Sequence, residues 1–230
     1  MAQKQKKTRK ELLKEPDEFL TFSAKMLKFV MAHKKQVGYG AGFIVALILI
    51  ISGFRFFSNR AENKASALLQ ESVVKYTTLI NAKTPPDKAY QDVSEGFKLI
   101  IEKYGSKQAG KRTRLMYANI CYDGGDYEQA RELYKKALSD YEENPLIRLE
   151  ILTCLGYVHG QLNDDSAAVQ YFEKVAASSE QIMRDGALFQ LGLVYEKLGE
   201  SQKSKNAFET IVSDHQNSIY MDLAKEKIAG

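Results

Sequence analysis

The side chains best suited to metal or nucleophilic chemistry in this chain are His33, His159, His215, Cys121 and Cys154. The histidines lie far apart, and none has an acidic or cysteine partner at ligand spacing, so a metal centre is not expected. Nothing near either cysteine in sequence lowers a thiol pKa, which argues against a nucleophile. Two buried, inert thiols are the expectation, although sequence does not set their separation and an oxidised pair stays open. No GxSxG, Walker, GxGxxG or HExxH pattern occurs. With no catalytic set and no cofactor motif, recognition rather than catalysis is the expected function.

The elements that would carry such recognition are legible in the composition. Of 230 residues, 44% are hydrophobic and 27% charged, which excludes a disordered or collagen-like chain. Only four prolines and 15 glycines interrupt it, favouring an all-α fold over a turn-rich sandwich. The formal charge of +4 is an average over unlike parts. Residues 1–36 hold ten Lys and Arg against four acids, a net of +6, which leaves −2 for the remainder. Nucleic-acid binding by that remainder therefore has no electrostatic support.

Residues 37–54 are uncharged, and the stretch 37–57, as a helix, is about 30 Å long, one bilayer crossing. A cleavable signal peptide competes, with Ala65-Ser66-Ala67 as its processing site, but the charged leader and the apolar block are both too long for one. The run from Phe43 to Ile51 has no polar face, unlike a core helix. Lys25, Lys28, Lys34 and Lys35 precede the span, whereas Arg55, Arg60 and Lys64 come after it with Glu62 among them. The positive-inside bias then keeps the tail in the cytoplasm, with His33, and exports the chain beyond the span. Phe19, Phe22, Met26, Phe29 and Val30 recur at helical spacing around Lys25 and Lys28. They read either as a basic amphipathic helix on an anionic leaflet or as a solvated extension of the membrane helix. Gly38 and Gly42 form a GxxxG pair, a candidate for packing between spans.

Beyond the span the chain repeats itself. Ala118, Gly156 and Gly192 stand 38 and 36 residues apart. Each is followed twelve residues later by another small residue (Ala130, Ala168, Ser204) and four further on by an aromatic one (Tyr134, Phe172, Phe208). A small residue on one helix admits close approach of the next, and the aromatic is expected to fill the space between repeats. Gly125-Asp126 and Gly199-Glu200 read as helix stop followed by amino cap, while Asn163-Asp164-Asp165 replaces the glycine turn in the middle copy. The run Gly125-Asp126-Tyr127-Glu128-Gln129-Ala130-Arg131-Glu132-Leu133-Tyr134-Lys135-Lys136-Ala137-Leu138 resembles the tetratricopeptide repeat (TPR). The whole is then an all-α chain: a basic cytoplasmic tail (1–36), a transmembrane signal anchor (37–57) and an extracytoplasmic TPR-like solenoid (58–230). The solenoid divides into a degenerate repeat 62–104, repeats 111–145, 149–178 and 185–218, and a capping helix 219–228. Within the degenerate repeat, 62–80 is its expected first helix.

The layout as a whole also resembles the single-span ancillary TPR subunits of the bacterial SecYEG translocon. That resemblance implies a bacterial inner-membrane anchor, a periplasmic domain, and translocon subunits, periplasmic chaperones or exported chains as partners. TPR arrays line a groove with the first helix of each repeat. Projected here, the groove holds Arg112, Leu115, Asn119, Tyr122 and Asp123, then Glu150, Thr153, Tyr157 and Gln161, then Phe189, Leu193, Glu196 and Lys197. Such a mix of aromatic and aliphatic anchors with a charged rim suits an extended or helical peptide. Leu115, Phe189 and Leu193 have an alternative role, packing against the capping helix. The TPR subclass that clamps a free carboxylate needs Lys, Asn and Arg at positions that here hold Leu115, Asn119, Cys154, Gly186 and Gln190, a single match, so that ligand is not expected. The alternative function is a self-associating envelope scaffold, a homo-oligomer joined through the GxxxG face and the cap.

Overall fold

Two of the four prolines open helices. Pro86 and Pro145 each stand in the first turn, where a missing N–H costs nothing and φ is already helical. The computed structural model describes residues 18–180 and 183–229, and there every regular element is a helix. Residues 1–17 of the basic tail and the side chain of Phe19 lie outside the described residues.

The helices are α1 (Glu18–Ala32), α2 (Lys34–Asn81), α3 (Pro86–Tyr104), α4 (Gln108–Asp123), α5 (Tyr127–Asp140), α6 (Pro145–Gln161), α7 (Asp165–Ala176), α8 (Arg184–Lys197), α9 (Ser201–Asp214) and α10 (Met221–Ala229). The chain divides into two compact units, Met1–Asn59 and Arg60–Gly230.

In the first unit, α1 ends at Ala32 and α2 begins after His33. The apolar stretch of α2 is long and hydrophobic enough to cross a membrane, and none of it is buried. Phe43, Ile44, Leu49 and Ile50 all face outward, so this is not the core helix of the fold described here. The segment 62–80, expected as the first helix of the degenerate repeat, is the last part of α2, which runs from Lys34 to Asn81 without a break. No proline or glycine lies between Arg55 and Asn81 to stop it.

In the second unit, consecutive helices from α3 to α10 pack on one another in sequence order. Leu69, Val73, Tyr76 and Leu79 of α2 join the first core, which is built on Val93, Phe97, Tyr117, Cys121, Leu133, Tyr134, Ile151 and Leu155. Phe172, Leu191 and Tyr195 continue it, and Phe208, Ile211 and Ala224 close it against α10.

The small and aromatic positions of the repeat meet within a repeat. A Cβ on Gly156 would come 2.6 Å from the Phe172 ring, and one on Gly192 would collide with Phe208 in the same way. The expectation that the aromatic fills the space between repeats is thus only half the arrangement. Its ring edge rests on its own repeat's glycine, while Phe172 also reaches Leu191 and Tyr195 of the next repeat.

Turn chemistry obeys the same logic. Gly125 and Gly199 adopt positive φ (82° and 74°), and Asn163, which replaces the glycine in the middle copy, adopts φ 58°. Asp126 and Asp164 then cap α5 and α7, accepting from the Gln129 and Ala167 amides at 3.1 and 3.2 Å. Glu200 stands at the corresponding place before α9 but makes no side-chain cap. Its carboxylate pairs instead with Lys203, in the first turn of α9.

Candidate protein-binding face

The first helices of the three full repeats, α4, α6 and α8, are held by polar links that their own sequences do not announce. The N-terminus of α4 has no side-chain cap from Lys107. Glu62 of α2 supplies it, its two oxygens accepting the Gln108 and Ala109 amides at 2.9 and 2.7 Å. Arg112 stands 3.8 Å from the same carboxylate. Asp126 is shared likewise, one oxygen capping α5 and the other accepting the Tyr90 hydroxyl at 2.6 Å. In the next repeat the Nδ1–H of His159 donates to Asp164 at 2.9 Å, while its Nε2 is buried without a partner and its ring stacks on Tyr171.

The sequence-derived groove residues fall into three groups. Leu115, Phe189 and Leu193 are half-buried: Leu115 on the first core, Phe189 and Leu193 in the last. Phe189 stacks on Tyr220 at 4.8 Å and meets Phe208 edge-on at 5.6 Å. Arg112, Glu196 and Lys197 are exposed but paired, Glu196 with Lys227 and Lys197 with Asp165, each at 2.8 Å. The third group forms a continuous face. The Tyr76 hydroxyl interacts with Asp123, and partial burial pushes the Asp123 carboxyl above its usual value. Tyr122 interacts with Gln161 across α4 and α6. Asn119 accepts the Tyr134 hydroxyl at 2.6 Å. Glu150 and Asp123 both bear on the Cys154 thiol, which burial raises. Tyr157 lies edge-on to Phe172 at 5.4 Å and within electrostatic reach of Tyr122 and Tyr220, and burial raises its phenol.

At its α8 end this face opens into a groove of about 860 Å³, lined by Thr153, Tyr157, Met183, Asp185, Gly186 and the segment 214–220 that links α9 to α10. Thr153 and Tyr157 were expected there; the linking segment was not. The expected capping helix 219–228 starts at Met221, so Ile219 lies in the preceding turn, 83% exposed at the lip of the groove. Asp185 holds that turn: its carboxylate accepts the Gly186 amide at 2.9 Å and the Ser218 hydroxyl at 2.6 Å, and Ser218 accepts the Tyr220 amide at 3.1 Å. The sequence signal for this turn is the polar run from Asp214 to Ser218, which breaks the helical pattern ahead of Ile219.

The chemistry of this face is that of contact. Tyrosine rings, an exposed isoleucine and carboxylates are present, whereas among the described residues no lysine or arginine lines the groove. Among the described residues, no group of three or more His, Cys, Asp or Glu stands in metal-holding geometry. Cys121 and Cys154 are both free thiols. Burial pushes the Cys121 pKa up to about 12, opposite to what a nucleophile needs.

No curated protein matches the chain. Among solved structures, a tetratricopeptide repeat protein from Parabacteroides merdae is similar at a TM-score of 0.56 and 17% identity, over 70% of this chain and 59% of that one. This chain therefore spans less than two thirds of that protein's length. BtubC (BKLC) from P. vanneervenii is similar at a TM-score of 0.53 and 14% identity, over 74% of this chain and 78% of that one. At these identities the likeness is one of fold: paired helices stacked in order, as the glycine-on-aromatic contacts require. The model of the tetratricopeptide repeat-like domain family matches residues 33–229, nearly the whole of the described chain, and the chain belongs to that family.

Proposed function

We propose that this chain is a membrane-anchored adaptor whose repeat array binds segments of other proteins along the Tyr122, Tyr157 and Tyr220 face. The observation that carries this reading is the groove between Tyr157 and Ile219, open and lined by aromatic, aliphatic and acidic side chains. The partner's chemistry is set by the charges. Arg112, Lys197 and Lys227 are each matched by Glu62, Asp165 and Glu196, so the charge left to a ligand is that of Asp123, Glu150 and Asp214. An extended or helical segment with basic residues beside aromatic or aliphatic ones complements it. Tyrosine faces add cation–π attraction for its lysines and arginines.

The exposed apolar part of α2 supports anchoring as a single span, and the lysines before it support a cytoplasmic tail and an exported array. On this reading the chain sits in a bacterial inner membrane with its array in the periplasm, close to the Sec translocon, where exported chains and chaperones present such segments. A site-specific crosslinker at Tyr157 in intact cells tests it. Adducts with translocon subunits, chaperones or exported chains are expected. Adducts only with envelope-assembly proteins would overturn the assignment to the translocon. Adducts only with further copies of this chain would replace the adaptor with a self-associating scaffold.

A further inference from the structure

The α1 helix presents an apolar surface that no described residue of its unit covers. Phe22 is 66% exposed and Phe29 61%, and Met26, Leu27 and Met31 are exposed with them. Phe22, Met26 and Phe29 succeed one another at four- and three-residue steps, so they form one stripe. Leu27 and Met31 lie about 140° and 180° around the helix from Phe22, joined to the stripe through Val30, while Lys25 and Lys28 fill the remaining arc, with Lys25 next to Phe29. A solvated extension of the apolar helix would leave all five large side chains in water, against the ordinary limit on exposed apolar patches.

Burial inside the same bilayer crossing fails on length and charge. Residues 22–57 as one helix measure about 54 Å, nearly twice the hydrocarbon thickness. Such a crossing would also draw Lys28, Lys34 and Lys35 toward the apolar layer. His33 interrupts the helical run between α1 and α2, where the chain passes from the lysine-bearing helix to the apolar stretch.

We infer that α1 is a second, peripheral membrane contact: it seats Phe22, Met26 and Phe29 in the interface of an anionic leaflet, with Lys25 and Lys28 among the lipid headgroups. Two observations select lipid over a protein groove as the occupant. The helix ends one residue before α2 and four residues before the apolar stretch that begins at Val37, so a bilayer that receives that stretch is within reach of α1. Its lysines border the apolar stripe, where anionic headgroups would meet them. The inference rests on the single-span anchor reading above and adds a lipid class to it.

The chain contains no tryptophan, so a single introduced one is an unambiguous probe. The full-length Phe22→Trp protein would be reconstituted in vesicles of phosphatidylcholine with and without phosphatidylglycerol, with lipids brominated near the headgroup. A parallel Ile44→Trp protein would report on the span. Blue-shifted emission from the Phe22→Trp protein is expected, with quenching about twofold or more stronger when phosphatidylglycerol is present and weakened by salt or by Lys25→Glu with Lys28→Glu. Water-like, unquenched emission from Phe22→Trp alongside quenching of Ile44→Trp would overturn the inference and leave the anchor standing. The absence of quenching in both proteins would overturn the anchor and this inference with it.

Discussion

The ring of Phe172 occupies the space where a side chain on Gly156 would stand, 2.6 Å from the position of its missing Cβ. A helix backbone and an aromatic ring are thus in direct contact, and the neighbouring atoms belong to a ring buried to 1% exposure. Gly156→Ala should destabilise the array by about 1–3 kcal/mol despite alanine's better helix propensity. Thermal unfolding measures it. Phe172→Leu in the same protein should recover part of the loss, because the smaller side chain can move away; a neutral or stabilising Gly156→Ala would show the contact to be looser.

Glu62 caps α4 from another helix, so its loss removes the acceptor for two amides at once. Glu62→Ala should cost about 0.5–2 kcal/mol. Amide exchange at Gln108 and Ala109 should accelerate more than at amides in the middle of α4. Equal acceleration along the helix would indicate a general loss of packing rather than a lost cap.

Asp164 is held below the usual carboxylate value, first by the Ala167 amide and then by His159. A carboxyl depressed in the folded state adds stability that is fully present above its unfolded value of about 3.9 and is lost as pH falls through the folded value. The stability gap between wild type and Asp164→Ala, about 1 kcal/mol at neutral pH, should therefore narrow in acid, below about pH 4. Asp164→Asn, which keeps a capping oxygen without the charge, should flatten that pH dependence while losing less at neutral pH. Denaturant unfolding across the acid range measures both.

The two thiols should separate by reactivity. Cys121 is fully buried with its pKa pushed up to about 12, so at neutral pH an alkylating reagent reaches it only through unfolding. Cys154 is half-buried between Asp123 and Glu150 and should label first. A bound partner segment on the proposed face should slow labelling at Cys154 and leave Cys121 unchanged, as read by mass spectrometry. Unaltered labelling of Cys154 in the presence of a crosslinkable partner would place the binding elsewhere.

Among the described residues of the array, Ile219 is the most exposed large apolar one, at 83%. Ile219→Ser should leave the melting temperature unchanged while weakening partner capture by roughly 3- to 10-fold, the scale of one lost aliphatic anchor. Raising the salt concentration should weaken capture further if basic residues of the partner face Asp123, Glu150 and Asp214. Capture that is indifferent to both changes would remove the groove from the binding surface.

Much of this molecule was readable along the chain because its determinants are local. Spacing alone marks Ala118, Gly156 and Gly192 as close-approach positions and Tyr134, Phe172 and Phe208 as the aromatic residues that recur with them, though not that Phe172 and Phe208 rest on the glycine of their own repeat. Gly125 and Gly199 announce the left-handed turn residues, and a charge-free stretch announces the apolar helix. Tertiary structure decided what depends on contacts between distant residues. The reach of Glu62 to α4, the pairing of Lys197 with Asp165, and the seating of Phe189 on Tyr220 each join residues separated by about thirty positions or more. No periodicity in one helix encodes which face of another it will meet. The binding groove belongs to the second kind: Thr153 and Tyr157 lie on a predictable helix face, but the segment that closes the groove opposite them is irregular chain, positioned by Asp185 through Ser218.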